Sequence, residues 1–309
     1  LILALVDEGL TKEEKPKAMN SSKDTARLRR RSRWVFYRKL LTGFALAGLV
    51  AGAAFAQNNS AQRQSASHLV TAANEASNAP TTFFGTASPL GNGSVRSWVK
   101  LDKDGKPTAI GVTFSEAALS GLPKEPPAGQ EGTEHILALP PEAGVTGFNH
   151  IMINWNPHGH PPGQVYDTAH FDFHFYTISP EARERITAQG DDKAKTRRQP
   201  PAEYVPAGYI YAPDSEIPRM GGHWVDPQSN EFRGQPFTRS FLYGNYDGQI
   251  IFWEPMITKA FLETRTNVTE IIKLPAKYAR PGYYPTEYSV KYDPASKQFT
   301  IALEGLTLR

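Results

Sequence analysis

The side chains best suited to chemistry are the histidines, eight in the whole chain, and four of them crowd between residues 158 and 174. They occur in Asn156-Pro157-His158-Gly159-His160 and in Ala169-His170-Phe171-Asp172-Phe173-His174-Phe175-Tyr176. Successive side chains of an extended strand point to opposite faces. The second segment, read as a strand, therefore carries His170, Asp172, His174 and Tyr176 on one face and Phe171, Phe173, Phe175 and Thr177 on the other. Burying each phenylalanine is worth about 1.5–3 kcal/mol. The apolar face thus anchors the strand, and the polar face becomes a fixed row of imidazole and carboxylate groups. Rigid support of this kind is what a metal or acid–base site requires.

Spacing limits which of these groups can act together. Residues i and i+2 of a strand lie roughly 7 Å apart and i and i+4 roughly 13 Å apart, whereas metal–nitrogen bonds are about 2.0–2.1 Å. His170 and His174 can meet one ion only at full stretch or across a bend. A site would use two or three groups of the row and recruit others from loops where Gly and Pro bend the chain. The recruits are His160 in Gly159-His160-Pro161-Pro162, His223 in Gly221-Gly222-His223-Trp224, and Glu254 in Trp253-Glu254-Pro255. The candidate metal ligands are His160, His170, Asp172, His174, His223 and Glu254. Asp172, Glu254 and Tyr176 are the candidates for moving protons in catalysis. Neutral imidazoles with carboxylates suit a divalent transition metal: Zn, Fe, Mn, Ni or Cu. Two plainer readings stay open: a metal-free, hydrogen-bonded polar pocket, and a solvated strand face.

Other chemistries lack their marks. The chain has no cysteine, which excludes thiol catalysis and thiolate metal sites. It has neither a Gly-x-Ser-x-Gly elbow nor a nucleotide-binding glycine loop, the signatures of serine hydrolases and dinucleotide or P-loop sites. Ser240 reads as an ordinary strand serine, and Tyr204, Tyr209, Tyr211, Tyr243, Tyr246, Tyr283 and Tyr284 read as pocket, interface or rim residues.

The elements that must position the histidines are short strands joined by turns. Ser94–Leu101 and Thr108–Phe114 flank Asp104-Gly105, which supplies the positive φ of a hairpin turn. Strand signals recur over His135–Leu139, Phe148–Trp155 and Ala169–Ile178. Ser179-Pro180-Glu181 starts a helix that is expected to run to about Ala188, with a serine cap, a first-turn proline and an acid at the positive end of the dipole. Phe237–Tyr243 and Gln249–Trp253, then Glu287–Tyr292 and Gln298–Leu303, form two further hairpins around Gly- and Pro-containing turns. Many short strands with one or two short helices describe a mainly β fold, an antiparallel barrel or sandwich.

Upstream, the order of features is that of an export signal. Arginines from Arg27 to Arg38 precede an apolar run, Leu40 to Ala56, that ends in the small-x-small site Ala54-Phe55-Ala56. This run is short for a membrane span, which needs about 20 apolar residues, so cleavage near Ala56 and a periplasmic or extracellular location are expected, with no stable membrane anchor. Residues 1–18 precede the first methionine, Met19, and read as a non-native upstream extension. Residues 19–56 are the signal, 57–92 a flexible leader, and 93–309 a single β-rich domain. Of 34 basic and 31 acidic side chains, 11 and 5 lie in residues 1–56, which leaves 23 and 26, a net charge of −3. The mature chain thus carries no basic excess for nucleic acid.

Several segments taken together resemble a small, poorly characterised family of exported bacterial proteins. They include Gly111-Val112-Thr113-Phe114, Asn154-Trp155-Asn156-Pro157-His158-Gly159-His160-Pro161-Pro162, Pro218-Arg219-Met220-Gly221-Gly222-His223-Trp224, and Tyr243-Gly244-Asn245-Tyr246-Asp247-Gly248 with Glu254-Pro255-Met256. The most specific is the His-Phe-Asp-x-His-Phe strand at His170–Phe175. The family includes a Thermus protein controlled by an extracytoplasmic-stress sigma factor. The resemblance covers roughly residues 93–275 and implies a β-rich domain in a ring-like homo-oligomer, without an established activity. Three functions fit the sequence: an exported metal-dependent hydrolase, isomerase or oxygenase acting on a small molecule; a non-catalytic metal- or ligand-binding envelope module; and a stress-related structural oligomer with a metal-free polar core.

Overall fold

The computed structural model of the chain describes residues 79–130 and 132–309. The export signal read over residues 19–56 and the upstream extension lie outside the described residues. The strands run, in chain order, β1 (Thr81–Phe84), β2 (Ser88–Leu90), β3 (Gly93–Leu101), β4 (Pro107–Ser115), β5 (Thr133–Ala138), β6 (His150–Asn156), β7 (His170–Tyr176) and β8 (Ile210–Tyr211). They continue with β9 (Gly222–Val225), β10 (Arg239–Tyr246), β11 (Gln249–Thr258), β12 (Val268–Ile271), β13 (Tyr283–Tyr284), β14 (Glu287–Asp293), β15 (Gln298–Glu304) and β16 (Thr307–Leu308). One sheet has the order β1-β3-β4-β15-β14-β12, with β2 also on β3. The other has the order β5-β6-β7-β11-β10-β9-β8, and β13 pairs with β16 in a small ribbon. Neither large sheet closes on itself, so the fold is a mainly antiparallel sandwich and not a barrel.

The turns follow their residue chemistry. In the β3–β4 turn Gly105 has φ 75°, and Asp102 Oδ1 accepts from the backbone N–H groups of Asp104 and Lys106, each at 2.9 Å. In the β10–β11 hairpin Asp247 (φ 50°) and Gly248 (φ 77°) alone make the turn, so both strands extend further than their hydrophobic runs indicate. β1 and β2 fall inside the stretch read as a leader. Thr81-Thr82-Phe83-Phe84 is β-branched and aromatic enough to add to the edge at β3.

Three short helices occur among the described residues: α1 (Pro180–Glu184), α2 (Lys193–Thr196) and α3 (Lys259–Glu263). Ser179 caps α1 by accepting from Ala182 N–H at 3.2 Å. That helix stops at Glu184, short of the expected Ala188, whose φ of 55° is left-handed. α2 is a single turn inside the charged loop, and Thr258 caps α3 through Phe261 N–H.

The two sheets share one core. It joins Val112, Phe114, Phe299 and Ile301 of the first sheet to Ile151, Ile153, Phe171, Phe173, Phe175 and Trp253 of the second. The Phe114 ring lies 6.3 Å from those of both Phe171 and Phe173. The apolar face of β7 is therefore the inner face, as its alternation requires.

The opposite face of β7 is buried as well, and every residue of β6 and β7 is shielded from solvent. The long connections around β8 and β9 and between β6 and β7 fold over this side as a third layer. Ile186 and Met220 pack there on Met152, Tyr176 and Phe252, and Tyr166 and Phe237 pack on Leu242 and Met256. A solvated strand face is thereby excluded for the polar row. No helix among the described residues is long and apolar enough to cross a membrane.

Candidate metal centres

Strand register lays the polar groups out in rows beneath this third layer. Asn156 is paired with His170, Asn154 with Asp172 and Met152 with His174. On the other side of β7, Asp172 is paired with Met256 and Tyr176 with Phe252. Pro255 cannot donate to a ladder, and the pairing between β11 and β7 is interrupted over Glu254 and Pro255 while the register continues on both sides. That register sets Glu254 opposite His174. His223 enters from β9, where it pairs with Gly244. A Cβ on Gly244 would come within 1.9 Å of the Phe252 ring. The missing side chain thus lets that ring lie across Gly244, with its centroid 4.9 Å from His174 and 5.5 Å from His223.

His160 arrives from the β6–β7 connection, which turns back at Gly159. There φ is 75°, and a Cβ would meet the Tyr166 carbonyl oxygen at 1.9 Å, so only glycine fits. The His160 N–H donates to that same carbonyl at 3.2 Å.

The six candidate ligands converge as two separate triads, His160–His170–Asp172 and His174–His223–Glu254. Within each triad the ligand atoms lie within 4.8 Å of one another. Both are pairs of imidazoles with one carboxylate. The sequence spacing already disfavours a shared ion for His170 and His174, and the fold assigns them to different groups. His170 and Asp172 share a triad as an i, i+2 pair, whereas His174 finds its carboxylate across the strand. Tyr176 belongs to neither: its hydroxyl donates to the Arg219 carbonyl at 3.2 Å and burial pushes its pKa up. Proton transfer by Tyr176 is thereby disfavoured.

Backbone carbonyls fix the orientation of three of the four imidazoles. Nδ1 faces a carbonyl in His160 (Pro161, 2.8 Å), His170 (Thr168, 2.5 Å) and His223 (Ser215, 2.8 Å). A ring that donates Nδ1–H to a carbonyl keeps Nε2 as a bare lone pair when neutral, the tautomer of a typical metal ligand. In His160 and His170 that Nε2 points toward a carboxylate. In the first triad, His170 Nε2 lies 3.0 Å from Asp172 Oδ1 and His160 Nε2 lies 3.5 Å from Asp172 Oδ2. Asn156 Nδ2 donates to Asp172 Oδ2 at 2.7 Å, yet Asp172 Oδ1 has no hydrogen-bond partner. In the second triad both ring nitrogens of His174 and Oε2 of Glu254 are buried without a partner.

The electrostatics follow from this crowding. Burial favours neutral His160, but the adjoining Asp172 carboxylate outweighs it and pushes the imidazole pKa up to about 9. Burial by itself would raise the Asp172 pKa; the His170 and His160 charges hold it well below the usual carboxylate range. His223 goes the other way, lowered by burial despite Glu254. The two triads also differ in access. The His160 side chain is 19% exposed, while those of His174 and Glu254 are 0% and 3% exposed.

Asn156 was not among the residues selected from sequence, although its position in alternation with Asn154 on a strand facing the histidine row is the signal that marks it. The other histidines among the described residues stand apart: His158 meets Glu125 at the surface at 3.0 Å, and His150 stacks on Tyr176 at 4.8 Å. His135, on β5, is lowered by burial.

The family model for TTHB210-like proteins, described as hypothetical protein TTHB210, matches residues 102–155. This supports the link to the Thermus family. The match takes in β4, β5 and nearly all of β6 and ends before the His170–Tyr176 strand. No curated protein and no solved structure matches the chain.

Proposed function

We propose that this is an exported metal-binding protein that holds a divalent transition metal at each triad, and that the His160 triad is the one open to water and small molecules. The observation that carries the reading is the set of convergent, buried lone pairs. Burying polar groups without partners costs free energy; a cation at the second triad would satisfy His174 Nε2 and Glu254 Oε2, and one at the first would satisfy Asp172 Oδ1. Asn156 and the three carbonyls act as the outer partners that orient metal ligands. Three protein ligands per ion leave coordination positions for water or substrate. At the His160 triad such a position is reachable through the exposed edge of the loop, and a bound water there would have its pKa lowered toward neutrality. The His174 triad is sealed, which suits a metal that holds β7, β9 and β11 together. The exported location rests on the signal-like order of residues 19–56, and a cysteine-free protein outside the cytoplasm would gain stability from such a metal in place of disulfides.

Elemental analysis of protein purified without chelator tests this directly. Two equivalents of metal per chain are expected, with one lost in His170→Ala and one in His174→Ala. Metal-free protein whose melting temperature is unchanged in both variants would overturn the reading in favour of a metal-free polar core.

A further inference from the structure

Away from the triads, a cleft of about 460 Å³ opens beside the β13–β16 ribbon. That volume lies in the range of small-molecule sites, roughly 300–1,000 Å³. Its walls are aromatic. The Tyr278 and Tyr284 ring centroids lie 3.9 Å apart, Tyr284 is 5.5 Å from Trp253, and Trp253 is 5.8 Å from Tyr243. The Tyr284 and Tyr243 hydroxyls donate to the Arg280 and Lys273 carbonyls, each at 2.8 Å, and the Tyr278 hydroxyl and the Trp253 indole nitrogen are sealed from solvent, so the cleft offers a ligand aromatic rings and not hydrogen-bonding groups from these four residues.

The charge at this cleft is one-sided. Lys277 and Arg280 line it and no acidic side chain does. Neither cation forms an ion pair with a described residue. The nearest polar partner of Arg280 is neutral Gln249, at 3.3 Å.

We propose that this cleft binds a small planar aromatic anion, such as an aromatic carboxylate. Its ring would stack among Tyr278, Tyr284 and Trp253, in the offset or edge-on geometries that aromatic pairs prefer. Lys277 and Arg280 at the mouth would hold the charge.

Calorimetric titration of the whole mature protein with 2-naphthoate tests the proposal, with neutral 2-naphthalenemethanol and maltose as parallel probes. Saturable binding of naphthoate is expected, weakened about tenfold or more in the Lys277→Ala/Arg280→Ala variant, a loss equivalent to one charge-assisted contact. The neutral alcohol should bind about tenfold more weakly than naphthoate. Both substituted residues are exposed, so that variant is expected to fold. Absence of saturable naphthoate binding overturns the proposal, as does maltose binding in its place. Naphthoate binding that survives Lys277→Ala/Arg280→Ala but is lost in His170→Ala also overturns it, because the carboxylate is then held at the metal triad.

Discussion

His174 Nε2 lies 3.2 Å from Glu254 Oε1 across adjacent strands, and no hydrogen bond joins them. Both side chains are essentially sealed from water. Two groups this close and this dry must share something, either a proton or a metal ion. With His223 as third ligand, the metal reading makes His174→Ala doubly damaging. It would release one metal equivalent and leave Glu254 as a buried, unpaired charge, a loss of about 3–5 kcal/mol. Thermal melts with and without chelator check this: chelator should lower the wild-type melting temperature substantially and that of His174→Ala much less.

The first triad should respond to its outer partner. Asn156 Nδ2 donates to Asp172 Oδ2 at 2.7 Å and approaches His170 Nε2 to 3.3 Å. Asn156→Ala would free the carboxylate to rotate. Metal affinity at this triad should fall about 10–100-fold, the range typical of such outer-shell losses, while the His174 triad keeps its ion. Competition with a metal-chelating dye, read as two separate binding steps, distinguishes the sites.

Much of this was legible in the residues. The alternation of His170–Tyr176 states both which side enters the core and which groups form the polar row, because a strand has a strict period of two. The hairpins at Asp104-Gly105 and Asp247-Gly248 are written in residues that accept positive φ. What the sequence leaves open is partnership. Whether Glu254 meets His174 or Asp172 depends on the β7–β11 register, which long-range pairing sets. The burial of the polar face was equally hidden. The covering layer is built from Ile186, Met220, Tyr166 and Phe237, scattered apolar residues in loops without periodicity. Two triads in place of one histidine-rich site is the outcome of that register.

His150 gives the protein a pH dependence whose main causes, burial and the Arg183 charge, lie outside the triads. Burial, then the nearby Arg183 charge, lowers its pKa from 6.5 to about 4. Between those values the unfolded chain binds a proton that the folded protein refuses. Stability should therefore fall as pH drops through that window and level off below it, by about 3 kcal/mol in all. His150→Phe keeps a ring to stack on Tyr176 and removes the titration. Urea midpoints at pH 7 and pH 5, taken on chelator-treated protein so that metal release does not contribute, should show a smaller difference in the variant than in the wild type.

Gly244 is the smallest residue on which the second triad depends. The Phe252 ring fills the space where a side chain would stand, and an added Cβ would sit 1.9 Å from it. Gly244→Ala must push that ring away, and the ring packs edge-on against both His174 and His223. Overpacking of this kind costs about 1–3 kcal/mol. The ring cannot move without disturbing one or both imidazoles, so the variant should also bind the second metal equivalent more weakly. Phe252→Leu in the Gly244→Ala background trims the obstructing ring and should restore part of both losses. Stability and metal content recovering together would establish that one packing contact controls both, whereas recovery of stability alone would separate the ring from the ligands.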